Sequence, residues 1–278
     1  MASIGDKIKF LRGLISQEKA MIGPYFVNVN LTTRCNLNCV GCRFHSIDQT
    51  KKNKIYANKD KYDMPIELFE KICKELKEIG TKEIILLGEG EPMLHPEIFD
   101  IISMAKKYGF FLTIITNGTL LNETACKKLV ENPPDIMKVS FWASTLEDFK
   151  ENYPGSDPEN INIVTNGLKL LSKLKKAQAQ NLPKVYLHQP INHYNYKNIN
   201  LLAETVKNVG ADFMSTSLLR PLHDKLEEAS LSPVEVSELT ENLRKIKINI
   251  DALGIKHNIN ETIMRYEFGE SVWETLPC

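Results

Sequence analysis

No apolar run in this 278-residue sequence approaches the ~20 residues that a membrane-spanning helix needs; the longest, such as Ile84 to Leu87, end after a few positions. Surplus charge is also missing. Thirty-five basic residues balance thirty-five acidic ones, so no global field draws the chain to nucleic acid or to an anionic membrane. An aromatic-basic patch of the kind that binds nucleic acid is lacking as well. Cysteine is scarce, six in all, which excludes a disulfide scaffold. The N-terminus, MASIGDKIKFLRGLISQEK, has no compact apolar block of the sort a secretory signal carries. Its apolar residues Ile4, Ile8, Leu11 and Ile15 recur at helical spacing, which predicts an amphipathic helix packed on the body of a cytoplasmic protein.

What is present is an alternation of short apolar strands with amphipathic helices, starting at Tyr25. The strand candidates are 26–31, 83–88, 111–117, 137–143, 184–191 and 211–219. Helices fall between them; one carries Ile66, Phe69, Ile72, Cys73, Leu76 and Ile79 on one face, opens at Pro65 and stops at Gly80. A further helix starts at Ser232-Pro233-Val234-Glu235, a capping box. Alternation of this kind predicts an α/β fold with a parallel sheet and helices outside. In the first strand Val27, Val29 and Leu31 alternate with Asn28, Asn30 and Thr32. A strand buried on both faces reads as continuous apolar residues, so a polar inner face points to a curved barrel with a lumen. The expectation is a partial (β/α)6 TIM-like barrel over 25–221, preceded by the N-terminal helix (1–24) and followed by a helical and strand extension (222–278).

Three of the six cysteines crowd together after the first strand, as Cys35, Cys39 and Cys42 in a C-x3-C-x2-C run. The C-terminal end of a parallel barrel strand is where such folds place active sites. Three thiolates so close repel one another unless a metal neutralises them. Four cysteines normally hold an iron-sulfur cluster, and only three are local here, which leaves one iron open to a non-protein ligand. Two other readings stand beside this one: a structural zinc site completed by His45, and free thiols in a loop. Cys73 and Cys126 lie on apolar helix faces and read as small hydrophobes.

With this triad in place, the sequence resembles the radical S-adenosylmethionine enzymes. A second likeness is Gly88-Glu89-Gly90-Glu91-Pro92 at the second strand, similar to the family's Gly-Gly-Glu-Pro motif; softer ones are Thr116-Asn117-Gly118 and Val139-Ser140. The resemblance implies a 4Fe-4S cluster on Cys35, Cys39 and Cys42, with S-adenosylmethionine chelated to the open iron and cleaved reductively to a 5'-deoxyadenosyl radical that takes hydrogen from substrate. It further implies cofactor contacts from Gly88, Glu89, Gly90, Glu91, Thr116, Asn117 and Ser140. Gly88 and Gly90 would let main chain approach the methionine end, and Glu91 would face its ammonium group. Where family members often carry an aromatic before the third cysteine, this chain has Gly41, and Phe44 is the candidate to replace it.

Cys278, behind Pro277, resembles the entry to the cysteine-rich extension called SPASM, which suggests a chain truncated before an auxiliary-cluster region; a plain terminal thiol is the alternative. The substrate expected is a small polar, sugar-like molecule or a peptide, and a low-potential donor such as flavodoxin or ferredoxin would supply the electron. Epimerisation, dehydration, dehydrogenation and peptide maturation all remain open. The competing class is a non-catalytic iron-sulfur or zinc protein. Strand alternation sends Tyr186 and His188 inward with Asn28 and Asn30, and makes His188 a candidate catalytic residue, orienting a hydroxyl or carrying a proton at a pKa near neutrality.

Overall fold

A computed structural model describes residues 4–16, 18, 20–42, 44–46, 62–219 and 228–268. Strands β1 (Phe26–Val29), β2 (Glu83–Leu86), β3 (Phe111–Thr116), β4 (Ile136–Ser140), β5 (Lys184–Ile191), β6 (Phe213–Leu218) and β7 (Lys256–His257) form one sheet in sequential order. Every neighbouring pair is parallel. The helices are α1 (Ile4–Ser16), α2 (Ile66–Glu78), α3 (Ile98–Lys107), α4 (Glu123–Glu131), α5 (Leu146–Asn152), α6 (Asn160–Ala177), α7 (Ile199–Val209), α8 (Pro233–Ala252) and α9 (Ile259–Phe268). This is the α/β partial barrel expected, with a seventh short strand that the sequence reading had left inside the C-terminal extension. β7 escapes a pattern search because it pairs through only Lys256 and His257, against Phe213 and Met214.

The alternation is obeyed strand by strand. Val29, Ile84, Leu86, Leu112, Ile114, Met137, Val139, Val185, Leu187 and Met214 point to the helices and are buried in the main core. Register then assigns the opposite face to Asn28, Ile85, Thr113, Ile115, Ile136, Lys138, Ser140, Tyr186, His188, Phe213 and Ser215, so the lumen carries polar groups, as the first strand suggested, among apolar ones. Tyr186 and Phe213 stack there with ring centroids 4.7 Å apart. Gly80, at φ +87°, ends α2, and Ser232 with Glu235 forms the capping box at the start of α8.

Two expectations change. The strands β1, β2 and β4 end two or three residues earlier than their apolar patterns do, because those residues turn into the loops of the site. And α1 is not packed on the barrel: Ile4 and Ile15 are 79% and 81% exposed. The edge of the sheet nearest the N-terminus is already covered by Phe69 and Cys73 of α2, both fully buried. The N-terminal tip and Cys278 lie outside the described residues, as do positions 220–227 of the polar connection before α8.

At the closed end of the barrel, Asp212 gathers three donors. Lys175 Nζ and Lys184 Nζ each stand 3.1 Å from its carboxylate, and the Val185 N–H donates at 2.9 Å. Burial would raise this carboxyl, but the donors and ammonium groups outweigh it and hold it below its ordinary value. Its contribution is therefore present above pH ~4 and is lost as pH falls through the depressed value. Asp212→Ala leaves the buried Lys175 ammonium with only the Pro183 carbonyl, 2.7 Å away, and should cost about 3 kcal/mol in urea unfolding. Replacing Lys175 with Met in the same chain should recover much of that loss.

Candidate active site

The cysteine loop leaves β1 through Leu31, Thr32 and Arg34. Arg34 is clamped: its guanidinium meets Asp63 at 2.8 Å and donates to the Leu94 carbonyl at 2.6 Å. The Thr32 hydroxyl donates to the same Asp63 at 2.6 Å. Beyond Arg34 the loop lies on a small second core of Leu37, Ala143, Phe149 and Tyr153, against which Cys35, Cys39 and Trp142 pack. Val40 donates its N–H to the Asn152 carbonyl at 2.8 Å, which fixes the loop between Cys39 and Cys42 on α5.

Burial pushes the Cys35 thiol up to about 11, with help from the neighbouring Glu91 and Cys42. Cys39 is raised as well, by burial and then by Cys42 and Cys35. Two thiols held uncharged by burial and by the neighbouring cysteines, with a third beside them, form a donor set that binding of a cation would relieve. The backbone N–H groups of Phe44 and His45 already point at Cys42 Sγ, at 3.4 and 3.2 Å, as donors to a thiolate do. Among the described residues no three His, Cys, Asp or Glu side chains converge on a single ion. A cube that takes one thiolate per iron instead asks its sulfurs to stand apart.

Glu91 organises the other side. It is 3% exposed, and its carboxylate accepts from Thr116 Oγ1 at 2.6 Å, from the Asn117 N–H at 2.7 Å and from the Met93 N–H at 3.0 Å. Burial raises its pKa against the opposing effect of these bonds. Asn117 in turn donates to the Asn36 side chain at 2.8 Å, next to Cys35. So Glu91 reaches the cysteine loop through its N–H to Arg34 and Asn117 through its side chain to Asn36, while Thr116 holds Glu91.

The two glycines serve the same junction. A Cβ at Gly90 would stand 2.3 Å from the Arg34 carbonyl oxygen and 2.6 Å from that of Thr32. The close approach that demands glycine is thus loop against loop, reinforced by the Glu91 N–H donating to Arg34 O at 2.8 Å. Gly88 has φ +143°, and a side chain there would strike Asn30, whose Oδ1 accepts from the Glu89 N–H.

Gly41 likewise has a local cause. A Cβ on it would lie 2.5 Å from Trp142 Cη2 and 2.9 Å from Leu219. Trp142, just beyond the end of β4, therefore brings a ring beside the residue before the third cysteine. Its backbone is held on both sides, the N–H donating to Tyr153 Oη at 2.9 Å and the carbonyl accepting from Asn195 at 2.9 Å. Sequence reading had looked to Phe44, the nearest ring in the chain, and missed Trp142 because it is a hundred residues away. Arg34, Asn36 and Asp63 were missed for the same reason: nothing local marks their partners.

Ser140 ends β4 opposite His188, on the lumen face. His188 shares hydrogen bonds with Ser215 Oγ at 2.9 Å and Ser217 Oγ at 3.3 Å. Its inward direction is as expected; its acidity is not. Burial, then the nearby Lys138, lowers its pKa to about 3, so the imidazole is neutral at physiological pH and no proton carrier tuned to neutrality.

Residues 29–161, the stretch that holds every cysteine of the loop together with Glu91, Asn117 and Trp142, match the Radical SAM superfamily. That stretch, just under half of the chain, is similar to a radical SAM domain. It is 28% identical over 198 residues to the tungsten-containing aldehyde ferredoxin oxidoreductase cofactor-modifying protein of Pyrococcus furiosus, covering 71% of this chain and 52% of that one. It is 25% identical over 238 residues to the AdoMet-dependent heme synthase of Methanosarcina barkeri, covering 84% and 63%. The chain thus spans between half and two thirds of the lengths of these relatives. Among solved structures, Streptococcus suis SuiB bound to S-adenosylmethionine aligns with a TM-score of 0.68 at 16% identity, over 91% of this chain and 54% of that one. Native anSMEcpe with bound AdoMet aligns with a TM-score of 0.66 at 19% identity, over 87% and 66%. At these identities the likeness is one of fold. No helix among the described residues is long and apolar enough to cross a membrane.

Two outcomes follow for this stretch of chain. Gly90→Val should loosen the cysteine loop, so that Cys35 and Cys39 react several-fold faster with a thiol reagent in metal-free protein while far-ultraviolet circular dichroism is retained. Gly41→Phe and Trp142→Ala should each lower the melting temperature, and the double variant should be more stable than their sum by about 1–2 kcal/mol, since each change makes room for or fills the space of the other.

Proposed function

We propose that Cys35, Cys39 and Cys42 hold a 4Fe-4S cluster, and that the protein is an enzyme acting on a small polar molecule, with a peptide as the alternative substrate. The observation that carries this reading is the cysteine loop itself: three adjacent thiols, two of them with their ionisation opposed by burial and by their neighbours, backbone donors aimed at the third sulfur, and a loop fixed by Arg34, Asn152 and Trp142. The residues present fit the cluster. When bound, it and S-adenosylmethionine supply reductive cleavage of the sulfonium bond and a carbon radical able to abstract hydrogen.

The chain's own residues supply placement. Glu91, with its three donors, locks the end of β3 to the loop after β2, and so fixes the main chain of 88–91 and the positions of Thr116 and Asn117 relative to the cysteine loop, where we place the cofactor contacts together with Glu89, Ser140 and Phe44. The neutral His188, with both ring nitrogens engaged by Ser215 and Ser217, positions those two hydroxyls on the lumen face. The small second core under the loop keeps water from its inner side. An electron-carrier role would call for a fourth protein ligand, and Cys73 and Cys126 are fully buried in the main core instead. A low-potential donor such as flavodoxin or ferredoxin completes the scheme.

The test is anaerobic reconstitution with iron and sulfide. Wild-type protein should bind four irons and four sulfides per chain, and alanine at position 35, 39 or 42 should abolish this. Reduced protein should form 5'-deoxyadenosine, with deuterium entering it from a labelled substrate. Stoichiometric zinc without sulfide would overturn the proposal. His188→Ala should keep the cluster and the substrate-free cleavage and lose product.

A further inference from the structure

Cys39 and Cys42 stand at the two ends of one tight turn. The Cys42 N–H donates to the Cys39 carbonyl at 2.9 Å, which makes Val40 and Gly41 the central residues of the turn. Whatever orients the turn therefore sets both thiols together. Each central residue has one hold outside it. Val40 donates its N–H to the carbonyl of Asn152, the last residue of α5, at 2.8 Å, and Gly41 abuts Trp142, whose ring atom Cη2 a Cβ would approach to 2.5 Å.

Neither hold is rigid by itself. The helix α5 has seven residues, and one so short keeps its form only through contacts beyond its own hydrogen bonds. Trp142 lies past the end of β4, outside the ladder of the sheet. The loop after β5 supplies the support that both lack. Asn192 Nδ2 donates to Asn152 Oδ1 at 2.6 Å, and Asn152 Nδ2 donates to the Asp148 carbonyl at 2.9 Å, so the end of α5 is pinned from two sides. Asn195 Nδ2 donates to the Trp142 carbonyl at 2.9 Å and to the Pro190 carbonyl at 3.0 Å. The two asparagines are joined as well, the Asn192 N–H donating to Asn195 Oδ1 at 2.9 Å. Asn152, Asn192 and Asn195 are each 0% exposed, so removing one of these amides leaves its partners buried and unpaired.

We propose that Asn192 and Asn195 are positioning residues for Cys39 and Cys42, acting through Asn152 and Trp142 on the turn between the two thiols. This rests on the reading of the three cysteines as the cluster ligands. Cys35 is held from the other direction, by Asn117 through Asn36 and by Asp63 through Arg34. The loop after β5 thus sets where two of the sulfurs stand relative to the third, and the strand that brings His188 to the lumen also ends in the support of the thiols.

The experiment is alkylation of the full chain in its metal-free state, with the rate at each cysteine read by peptide mass spectrometry. Asn192→Ser and Asn195→Ser should each raise the rates at Cys39 and Cys42 relative to Cys35 by roughly fivefold, the equivalent of one buried hydrogen bond. Adding Asn192→Ser to Asn152→Ala should change the ratio little further, because both break one path. The control is Thr262→Val, which removes a buried 2.7 Å bond between α9 and Thr216 of β6; it should lower the melting temperature and leave the ratio as it is. After reconstitution with iron and sulfide, Asn192→Ser and Asn195→Ser should release iron to a chelator several-fold faster than wild type. Unchanged ratios in variants that melt cooperatively, the same change of ratio in Thr262→Val, or an equal rise at all three cysteines would overturn the proposal. Thiol rates are read without iron, so failure of the cluster reading and failure of the positioning role are seen separately.

Discussion

The burial of one carboxylate governs the geometry of this site. Glu91 sits where three separate stretches of chain meet: the loop after β2, the end of β3 and the entry to the cysteine loop. A buried carboxyl without donors would be costly, and this one has three: the Met93 N–H of its own turn, and the Thr116 hydroxyl and Asn117 N–H that the end of β3 brings to it. Any displacement of β3 relative to β2 breaks a bond to it. The acid therefore converts the ladder of the sheet into a fixed position for residues 88–91 and, through Asn117 and Asn36, for the segment beside Cys35.

Around that junction the protein relies on contact between backbones. Gly90 against Thr32 and Arg34, and Gly88 against Asn30, are approaches no side chain permits. Arg34 then ties the same segment to Asp63 and Leu94 from the opposite direction. The cysteine loop is thus held at its entry by polar contacts and along its length by the apolar platform of Leu37, Phe149 and Tyr153. Rigidity of this kind suits a reactive centre, because thiols that are unfavourably charged in isolation must be kept together before anything neutralises them.

Much of this was legible in the sequence, for identifiable reasons. The apolar alternation of Val27 and Val29 with Asn28 and Asn30 forced one wet face, and so a lumen. The spacing of Cys35, Cys39 and Cys42 is a local pattern that needs no partner to be seen. What could not be read were relations across sequence distance. The glycine of GEGEP was visible, but its contact with Arg34 was not; the gap at Gly41 was visible, but the ring that fills it comes from the loop after β4. The neutrality of His188 depends on the depth of the lumen and on Lys138 one strand away, neither of which a residue's own neighbours encode. The exposed stripe of α1 shows the converse limit, since periodicity reports that a face is apolar without saying that a surface is vacant to receive it.

The interlock of Gly41 with Trp142 bears on how such chains diverge. Because the ring and the missing side chain compete for one volume, neither position can drift alone without a clash or a void. Their histories should be joined, with an aromatic at one place excluding a bulky residue at the other. A search for related chains that insists on an aromatic next to the third cysteine would pass over those that deliver it from just after the fourth strand, and pairing the two positions in the search pattern would recover them.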